Sequence, residues 1–329
     1  MNQVFHEVEK LKILSEKSLA DRLRVPRERL VEISLSTASH YDPFPTRKPP
    51  RPFQKKPLGS RRNIDNPQDD TRWVQGRIYQ RLLKPISFPA HIKGAVTKRS
   101  VYHNAHLHLG ASLLVTIDIK GCFPSIDNEK VYRVWADLLG CSPPVAKILT
   151  RLTTYKRYLP QGAPTSPSLA NLFIWLIDRP IREACVEASV TYSTWIDDLA
   201  FSGDNARGLI QVAASVLKSE RMRISRKKVR IMGPSGIKLL TGTRLGGSEV
   251  RAPREKLSRI RSGTHKLQLG LIPPSQQEAY ISGLVAQLRF IEQLHPDEVT
   301  RPARILASAI KGCHISKPAK KYISARAGA

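Results

Sequence analysis

The sequence predicts an α+β fold, because short apolar runs typical of strands are interspersed with longer segments of helical periodicity. Residues 112–119 (SLLVTIDI) are apolar and rich in β-branched side chains, which is typical of a buried strand. Residues 191–202 (TYSTWIDDLAFS) indicate two further strands around a tight turn. At 329 residues the chain is long enough to bury a large core, and helical parts are expected on either side of the α+β centre.

The N-terminal part is predicted to be a small helical region. Apolar residues recur at helical spacing over residues 5–40, and Pro26 divides this stretch into two helices. The segment faintly resembles a helix-turn-helix, but a small helical cap on a larger domain is favoured. Residues 43–57 contain six prolines and predict a loop or extended ribbon. Residues 46–63 carry seven lysines and arginines and no acid, which favours phosphate contact over a solvated linker.

The remaining elements follow from apolar periodicity and from the positions of glycine and proline. We expect helices over residues 73–83, over 131–152 with a bend near Pro143-Pro144, within 167–188 as one long helix, and over 206–220. Residues 238–252 predict a hairpin, and the chain from residue 253 onward is predicted to be mostly helical and basic.

The charge balance indicates a polyanionic partner. The chain has 54 lysines and arginines against 27 acidic residues, a net charge of +27, and residues 205–329 alone carry 24 cations and seven acids. Nucleic acid is favoured over an anionic membrane surface, because neither a clear basic amphipathic helix nor a lipidation motif is present. A hydrophobic fraction of 41% and a charged fraction of 25% are ordinary for a folded soluble protein.

The sequence also indicates the cellular compartment. No apolar run is long enough to span a membrane, and the polar N-terminus does not resemble a secretory signal. The cysteines are scattered without a CxxC spacing, so a disulfide scaffold or zinc finger is not expected and the cytoplasm is the predicted location. These cysteines are Cys122, Cys141, Cys185 and Cys313.

Acidic residues lie beside two of the predicted strands. Asp118 follows the run LLVTI, and Asp197 and Asp198 are adjacent at the turn between two apolar strands. Carboxylates this close to buried strands repel one another unless something compensates their charge. A pair of divalent cations about 3.5–4 Å apart would do so, as in phosphoryl and nucleotidyl transfer, and Mg²⁺ suits such hard oxygen ligands.

Three motifs in order resemble the palm motifs of bacterial reverse transcriptases: residues 118–126 (DIKGCFPSI), 159–167 (LPQGAPTSP) and 195–203 (WIDDLAFSG). Residues 62–67 (RNIDNP) resemble the first fingers motif of that family. The resemblance covers roughly residues 45–265 and implies a right-hand polymerase fold with a small N-terminal helical region. The implied parts are an N-terminal helical region (1–42), fingers (43–111), a palm with an interleaved fingers segment (112–236), and the palm end with a basic helical thumb (237–329).

Other motifs resemble the retron branch of the family. Residues 104–108 (NAHLH) match its NAxxH element, and Leu240-Thr241-Gly242 resembles its VTG element with leucine in place of valine. Residues 225–228 (SRKK) followed by Gly233-Pro234 also fit the retron pattern. No nuclease or maturase-like extension is expected after them, which suits a retron enzyme better than an intron-encoded one.

The retron resemblance implies an RNA-directed DNA polymerase that copies its own structured non-coding RNA. Such enzymes use dNTPs, prime from a 2′-OH of a guanosine and make a branched RNA–DNA hybrid (msDNA). With a neighbouring effector protein they act in antiphage defence. Two alternatives stay open: a non-retron bacterial reverse transcriptase, either intron-related or defence-associated, and a catalytically weak RNA-binding protein of the same fold.

The resemblance also implies roles for individual residues. Asp118 and Asp197 would ligate two Mg²⁺ ions, with Asp198 as a weaker ligand and the backbone carbonyl of Ile119 as a possible further one. Phe123 would be a steric gate against a ribose 2′-OH, or else a core aromatic. Gln161 and Gly162 would line the pocket for nucleotide and template, and Arg62 would bind the triphosphate. Lys228 or Lys227 would be the acid that protonates pyrophosphate, or else part of a solvated basic loop.

The implied RNA-binding residues lie in the retron elements and in the basic C-terminal part. Asn104 and His108 would contact RNA or support the structure. Trp195 stands where the family usually has tyrosine, which puts rate and fidelity in doubt more than activity, because all three aspartates remain. The other residues implied to bind RNA or the RNA–DNA hybrid are Thr241, Gly242, Arg254, Lys256, Arg259, Arg261 and Lys266.

Overall fold

A computed structural model describes residues 8–47, 61–295, 299–310, 312–313 and 315–328. The chain forms two compact units, each assembled from two segments. The first unit comprises Met1–Arg99 and Ala111–Pro234, and the second comprises Ser100–Gly110 and Ser235–Ala329. The segment with the NAxxH element therefore packs with the C-terminal part, whereas the sequence prediction grouped it with residues 43–99. The four functional regions remain predictions.

The helices are numbered in chain order. They are α1 (Glu16–Leu23), α2 (Arg27–Ser36), α3 (Asp69–Ile78), α4 (Val101–His106), α5 (Cys122–Ser125), α6 (Asn128–Arg133), α7 (Pro143–Thr153), α8 (Ser166–Ile177), α9 (Arg179–Glu187), α10 (Leu209–Ser219), α11 (Arg254–Gln268), α12 (Pro274–Glu292), α13 (Thr300–Ala309) and α14 (Lys317–Ala327).

Within the described ranges the strands, numbered in the same way, form three sheets. They are β1 (Tyr41–Arg47), β2 (Arg61–Pro67), β3 (Leu114–Asp118), β4 (Thr191–Trp195), β5 (Asp198–Ser202), β6 (Arg230–Met232), β7 (Lys238–Leu240), β8 (Thr243–Leu245) and β9 (Val250–Arg251). In the first unit β1 pairs with β2, and a four-stranded sheet has the order β4-β5-β3-β6. The second unit contains the sheet β7-β8-β9. All of these pairings are antiparallel.

The N-terminal helices agree with the prediction. Pro26 lies directly before α2, and Arg24 ends α1 in a left-handed conformation with φ of 52°. The start of the proline-rich segment is extended, because residues 41–47 form β1. The rest of it, residues 48–60, lies outside the described ranges together with most of its predicted phosphate-binding cations.

Two predicted helices are divided in the structure. The helical stretch expected over residues 131–152 is interrupted after residue 138, and Pro143 begins the new helix α7. Proline is favoured in the first turn of a helix, where its missing N–H costs nothing. The single long helix expected within residues 167–188 is two helices, α8 and α9, which meet at Asp178. The side chain of Asp178 is fully buried and pairs with Arg182 of α9.

One continuous hydrophobic core supports the four-stranded sheet. Val115 and Ile117 of β3 and Phe201 of β5 are buried, as are most of the large apolar side chains of α7 and α8. Strand β3 lies between β5 and β6, so both of its edges are paired. The central position of β3 fixes Asp118 at the end of a rigid strand.

The second unit has its own core. Its C-terminal helices bury Ile260, Leu284, Leu288, Leu306 and Ile323. The hairpin predicted over residues 238–252 is a sheet of three short strands. Among the described residues, no helix is long and apolar enough to cross a membrane.

Shortening Phe173 on α8 should destabilise the first unit strongly. Its side chain is fully buried, and Phe→Ala in a packed core costs about 3–5 kcal/mol. Val186 on the neighbouring helix α9 is 53% exposed, so Val186→Ala should change the free energy of unfolding by less than about 0.5 kcal/mol. Chemical denaturation of both variants measures the difference, and equal stabilities would contradict the assignment of this core.

Candidate active site

A two-residue turn joins β4 to β5 and carries the adjacent aspartates. Trp195 and Asp198 are the last facing pair of this hairpin, so Ile196 and Asp197 form its tip. Ile196 has φ of 58°. A positive φ at the first turn residue suits a tight hairpin but is strained for a β-branched side chain. The surroundings must therefore hold this turn in place.

Asp118 lies opposite Asp198 where β3 pairs with β5. Directly facing residues in an antiparallel pair have Cβ atoms about 5 Å apart, so their side chains share one face of the sheet. The amide of Ile119 donates a hydrogen bond of 2.8 Å to the carbonyl oxygen of Asp197, which brings the turn to the end of β3. Three acidic residues separated along the sequence thus meet at one end of the sheet.

Lys228 supplies a positive charge at this end. It lies in a short 3-10 turn, Arg226–Lys228. The residue before this turn is bound to the end of β3, because the Ser225 amide donates a hydrogen bond of 2.8 Å to the carbonyl oxygen of Asp118. Its Nζ forms an ion pair with Oδ2 of Asp118. The sequence left Lys227 and Lys228 as alternatives for the catalytic lysine, and the ion pair favours Lys228.

The donor set fits hard divalent cations. Asp118 and Asp198 offer carboxylate oxygens on one face, and Asp197 lies next to them in the chain. Within the described ranges, no three His, Cys, Asp or Glu side chains are gathered tightly enough to hold a metal ion as they stand. One oxygen of Asp118 is engaged by Lys228, so metal binding there competes with the ion pair.

A neutral thiol lies beneath the acidic residues. Cys122, the first residue of α5, is 2% exposed. Burial raises the pKa of this thiol, and the charges of Asp197 and Asp118 raise it further. Both carboxylates are therefore close to the same sulfur. Phe123, the next residue, is partly buried and packs against the core, which is compatible with either of its predicted roles.

Gln161 and Gly162 are fixed against β2. The amide of Asp65 donates a hydrogen bond of 2.7 Å to the carbonyl oxygen of Gln161. Gly162 has φ of 135°, and a Cβ there would lie 2.8 Å from the Asp65 carbonyl oxygen. Glycine is thus required for a close approach to protein backbone, a reason that the sequence did not reveal. The backbone of Arg62 belongs to β2, but its side chain lies outside the described part of the structure.

The retron elements meet each other within the second unit. Asn104 and His108 are each 1% exposed. The Nδ2 of Asn104 donates a hydrogen bond of 3.4 Å to Oγ1 of Thr241. Thr241 and Gly242 form the turn between β7 and β8 and have φ of 46° and 77°. This burial favours the supporting role for Asn104 and His108 over direct contact with RNA.

The predicted thumb cations all lie on α11. Lys256 differs from the others, because its Nζ lies 3.1 Å from the centroid of the Phe290 ring. Burial lowers the pKa of Lys256, and the charge of Arg259 adds to the effect. The exposed members of the set are Arg254, Arg259, Arg261 and Lys266.

Comparison with known proteins identifies the family. Residues 53–244 match the family described as reverse transcriptase (RNA-dependent DNA polymerase). The retron Ec86 reverse transcriptase of Escherichia coli is 31% identical over 66% of this chain and 68% of its own length. The chain belongs to the bacterial retron-type reverse transcriptases. The retron Mx65 reverse transcriptase of Myxococcus xanthus is 28% identical over 83% of this chain and 68% of its own length.

Membership of this family confirms three predictions. The fold is the α+β right-hand polymerase fold, and this reverse transcriptase is an RNA-directed DNA polymerase. Its substrates are an RNA template and dNTPs, and the family is one of metal-dependent polymerases. Sequence reasoning assigned no role to Cys122, whose thiol is near Asp118 and Asp197, or to residues 91–94, whose backbone is hydrogen-bonded to β4. Neither has a sequence pattern that would have indicated this position.

Replacing Asn104 by alanine should destabilise the second unit. The change removes the hydrogen bond to the half-buried Thr241 hydroxyl and leaves a cavity at a fully buried position, which together cost about 1–3 kcal/mol. His106 is exposed on the same helix, so His106→Ala should leave stability within about 0.5 kcal/mol. Hydrogen exchange of residues 101–106 measures the effect. Equal protection in both variants would show that Asn104 does not hold α4.

Proposed function

We propose that this reverse transcriptase copies a structured non-coding RNA into a short single-stranded DNA. Synthesis begins at the 2′-OH of a guanosine in the same RNA and gives a branched RNA–DNA hybrid, msDNA. The retron elements in the sequence and the named retron relatives support this proposal. The observation that carries the chemistry is the pairing of Asp118 with Asp198 beside Asp197 and Lys228.

Two Mg²⁺ ions are proposed to bind at Asp118, Asp197 and Asp198, with the carbonyl oxygen of Ile119 as a further ligand. When bound, they supply the charge stabilisation for an in-line nucleotidyl transfer. Asp118 holds its carboxylate at the end of a strand paired on both sides, so its position is fixed before substrate arrives. The strained turn at Ile196 places Asp197 next to it.

The chain's own groups complete the reaction. A primer hydroxyl gives up its proton to water, its oxygen bonds to the α-phosphorus of the dNTP, and the bond from that phosphorus to the pyrophosphate oxygen breaks. Lys228 is proposed to donate a proton from Nζ to the leaving pyrophosphate. The ion pair with Asp118 holds the ammonium at the site until the ammonium binds the phosphate instead. Lys228 thus neutralises the acidic end of the sheet and later acts as an acid.

The sugar and base are proposed to be bound by neighbouring loops. Phe123, in the short helix α5 that follows Asp118, excludes a ribose 2′-OH from the nucleotide pocket. Gln161 and Gly162 line the same pocket, held in position by Asp65 of β2. Arg62 of β2 is proposed to bind the triphosphate in a bidentate manner.

The second unit is proposed to recognise nucleic acid. Thr241 and Gly242 form a tight turn whose backbone a phosphate can approach. Asn104 supports that turn through its hydrogen bond to Thr241. The exposed cations of α11 suit the backbone of an A-form hybrid, which proteins bind by shape and charge. We further propose a cytoplasmic role in antiphage defence together with a retron effector protein, as the retron resemblance implies.

Asp197→Asn tests the polymerase chemistry and the retron product together. We expect loss of DNA synthesis by more than about 10²-fold, because a metal ligand is removed. RNA binding should remain. The measurement is purification from cells that carry the native locus, followed by sequencing of the bound nucleic acid before and after RNase.

The wild-type protein should carry one short DNA of defined sequence joined to RNA, and Asp197→Asn should carry RNA alone. Asp137 is an exposed acid in the same unit, so Asp137→Asn should match the wild type. Equal RNA without DNA in all three proteins would contradict self-primed msDNA synthesis. Loss of RNA together with DNA in Asp197→Asn would indicate a structural role for that residue.

Phe123→Ala tests the proposed steric gate. The shorter side chain makes room for a 2′-OH, so selectivity for dNTPs over ribonucleotides should fall at least about 10-fold. Competition between the two nucleotides in primer extension measures this. Phe44 is 46% exposed on β1, and Phe44→Ala serves as the control. Loss of stability with unchanged sugar selectivity would show that Phe123 is only a core aromatic.

A further inference from the structure

Residues 91–94 cover the outer edge of the catalytic hairpin. Strand β4 is the last strand of its sheet on this side. The amide of Thr194 donates a hydrogen bond of 2.9 Å to the carbonyl oxygen of His91, and the amide of Lys93 donates one of 2.8 Å back to the carbonyl oxygen of Thr194. These bonds extend the sheet by a short stretch of parallel backbone up to the turn that bears Asp197.

Gly94 touches the turn itself. A Cβ at this position would lie 2.7 Å from the amide nitrogen of Ile196 and 2.9 Å from its Cγ1, and also 2.9 Å from the carbonyl carbon of Trp195. Two of these three atoms are backbone, so a larger residue could fit only if the turn moved. The absence of a side chain at Gly94 therefore sets how close residues 91–94 lie to Ile196.

Other side chains fix residues 91–94 from behind. The Nδ2 of Asn171, on α8, donates a hydrogen bond of 2.7 Å to the carbonyl oxygen of Gly94. The guanidinium of Arg99 donates to the carbonyl oxygens of Phe88 and Ile92. Nε2 of His91 lies 2.8 Å from Oδ2 of the fully buried Asp178. The backbone on which Ile196 rests is thus held at several points along its length.

We propose that Gly94, together with Asn171, positions the catalytic turn. Ile196 occupies a left-handed conformation that is costly for a β-branched residue, and such strain persists only where the surroundings enforce it. Gly94 lies against the amide of that residue, and Asn171 prevents Gly94 from withdrawing. Gly94 has no side chain of its own, so its effect on the Asp197 carboxylate passes through the backbone of Ile196.

The test is primer extension on an RNA template annealed to a DNA primer, so the result does not depend on a self-primed branched product. Gly94→Ala should lower kcat by about 10²-fold, the loss expected when a catalytic group is displaced by about 1 Å. The KM for dNTP and the affinity for template–primer should change little. The matched control is Gly76→Ala on α3, where a Cβ has no neighbour within 4 Å.

Replacing Ile196 by glycine removes Cγ1 and removes the strain of a β-branched residue at positive φ. The double variant Gly94→Ala/Ile196→Gly should therefore recover part of the lost kcat, which a general loss of stability would not allow. If Gly94→Ala does not fold, Asn171→Ala decides, because it removes one hydrogen bond without adding an atom. It should lower kcat about 10-fold at unchanged KM.

The proposal would be overturned if Gly94→Ala had the wild-type kcat, or if Asn171→Ala did in the case where Gly94→Ala does not fold. It would also be overturned if the double variant were no faster than Gly94→Ala. The proposal rests on the catalytic role of Asp197, which Asp197→Asn tests separately in the same assay. An active Asp197→Asn would overturn the catalytic assignment, whatever the Gly94 variants do.

Discussion

The antiparallel pairing of β3 with β5 is the contact on which the active site depends. It sets Asp118 opposite Asp198 and brings the Asp197 carbonyl within hydrogen-bonding distance of the residue that follows β3. Because side chains alternate between the two faces of a strand, a shift of one residue in this register would turn one of the carboxylates away. The buried apolar residues of both strands prevent such a shift.

The same arrangement creates an electrostatic cost that the surroundings offset. Like charges directly opposite in a sheet destabilise the pair. Lys228 offsets part of this repulsion through its ion pair with Asp118. The nearby Cys122 thiol adds no further negative charge, because its pKa is raised. The acidic end is thus stable enough to fold and still attracts cations. Part of the folding free energy is given up to keep these charges together at the proposed metal site.

Local features were predictable from the sequence, and long-range contacts were not. The β-branched run before Asp118 and the apolar residues around Asp197 indicated β3, β4 and β5, because a short apolar, β-branched run is visible within a single segment. The break at Asp178 coincides with Pro180 in the first turn of α9, a local signal that the sequence prediction did not use. The contact of Asn104 with Thr241, by contrast, joins residues 137 apart in the chain and has no local signal. The motif resemblance supplied the proposed site residues but not the contacts that hold them.

The second unit is assembled from segments that lie far apart in the chain. Residues 100–110 leave the ribosome early, yet their packing partners begin only at residue 235. At about 5–20 residues per second, translation of the intervening chain takes roughly ten seconds. During that interval α4 has no sheet against which to bury Ala105, and Asn104 has no Thr241 to bind. The element that marks the retron branch is therefore one of the last parts of this polymerase to acquire its native surroundings.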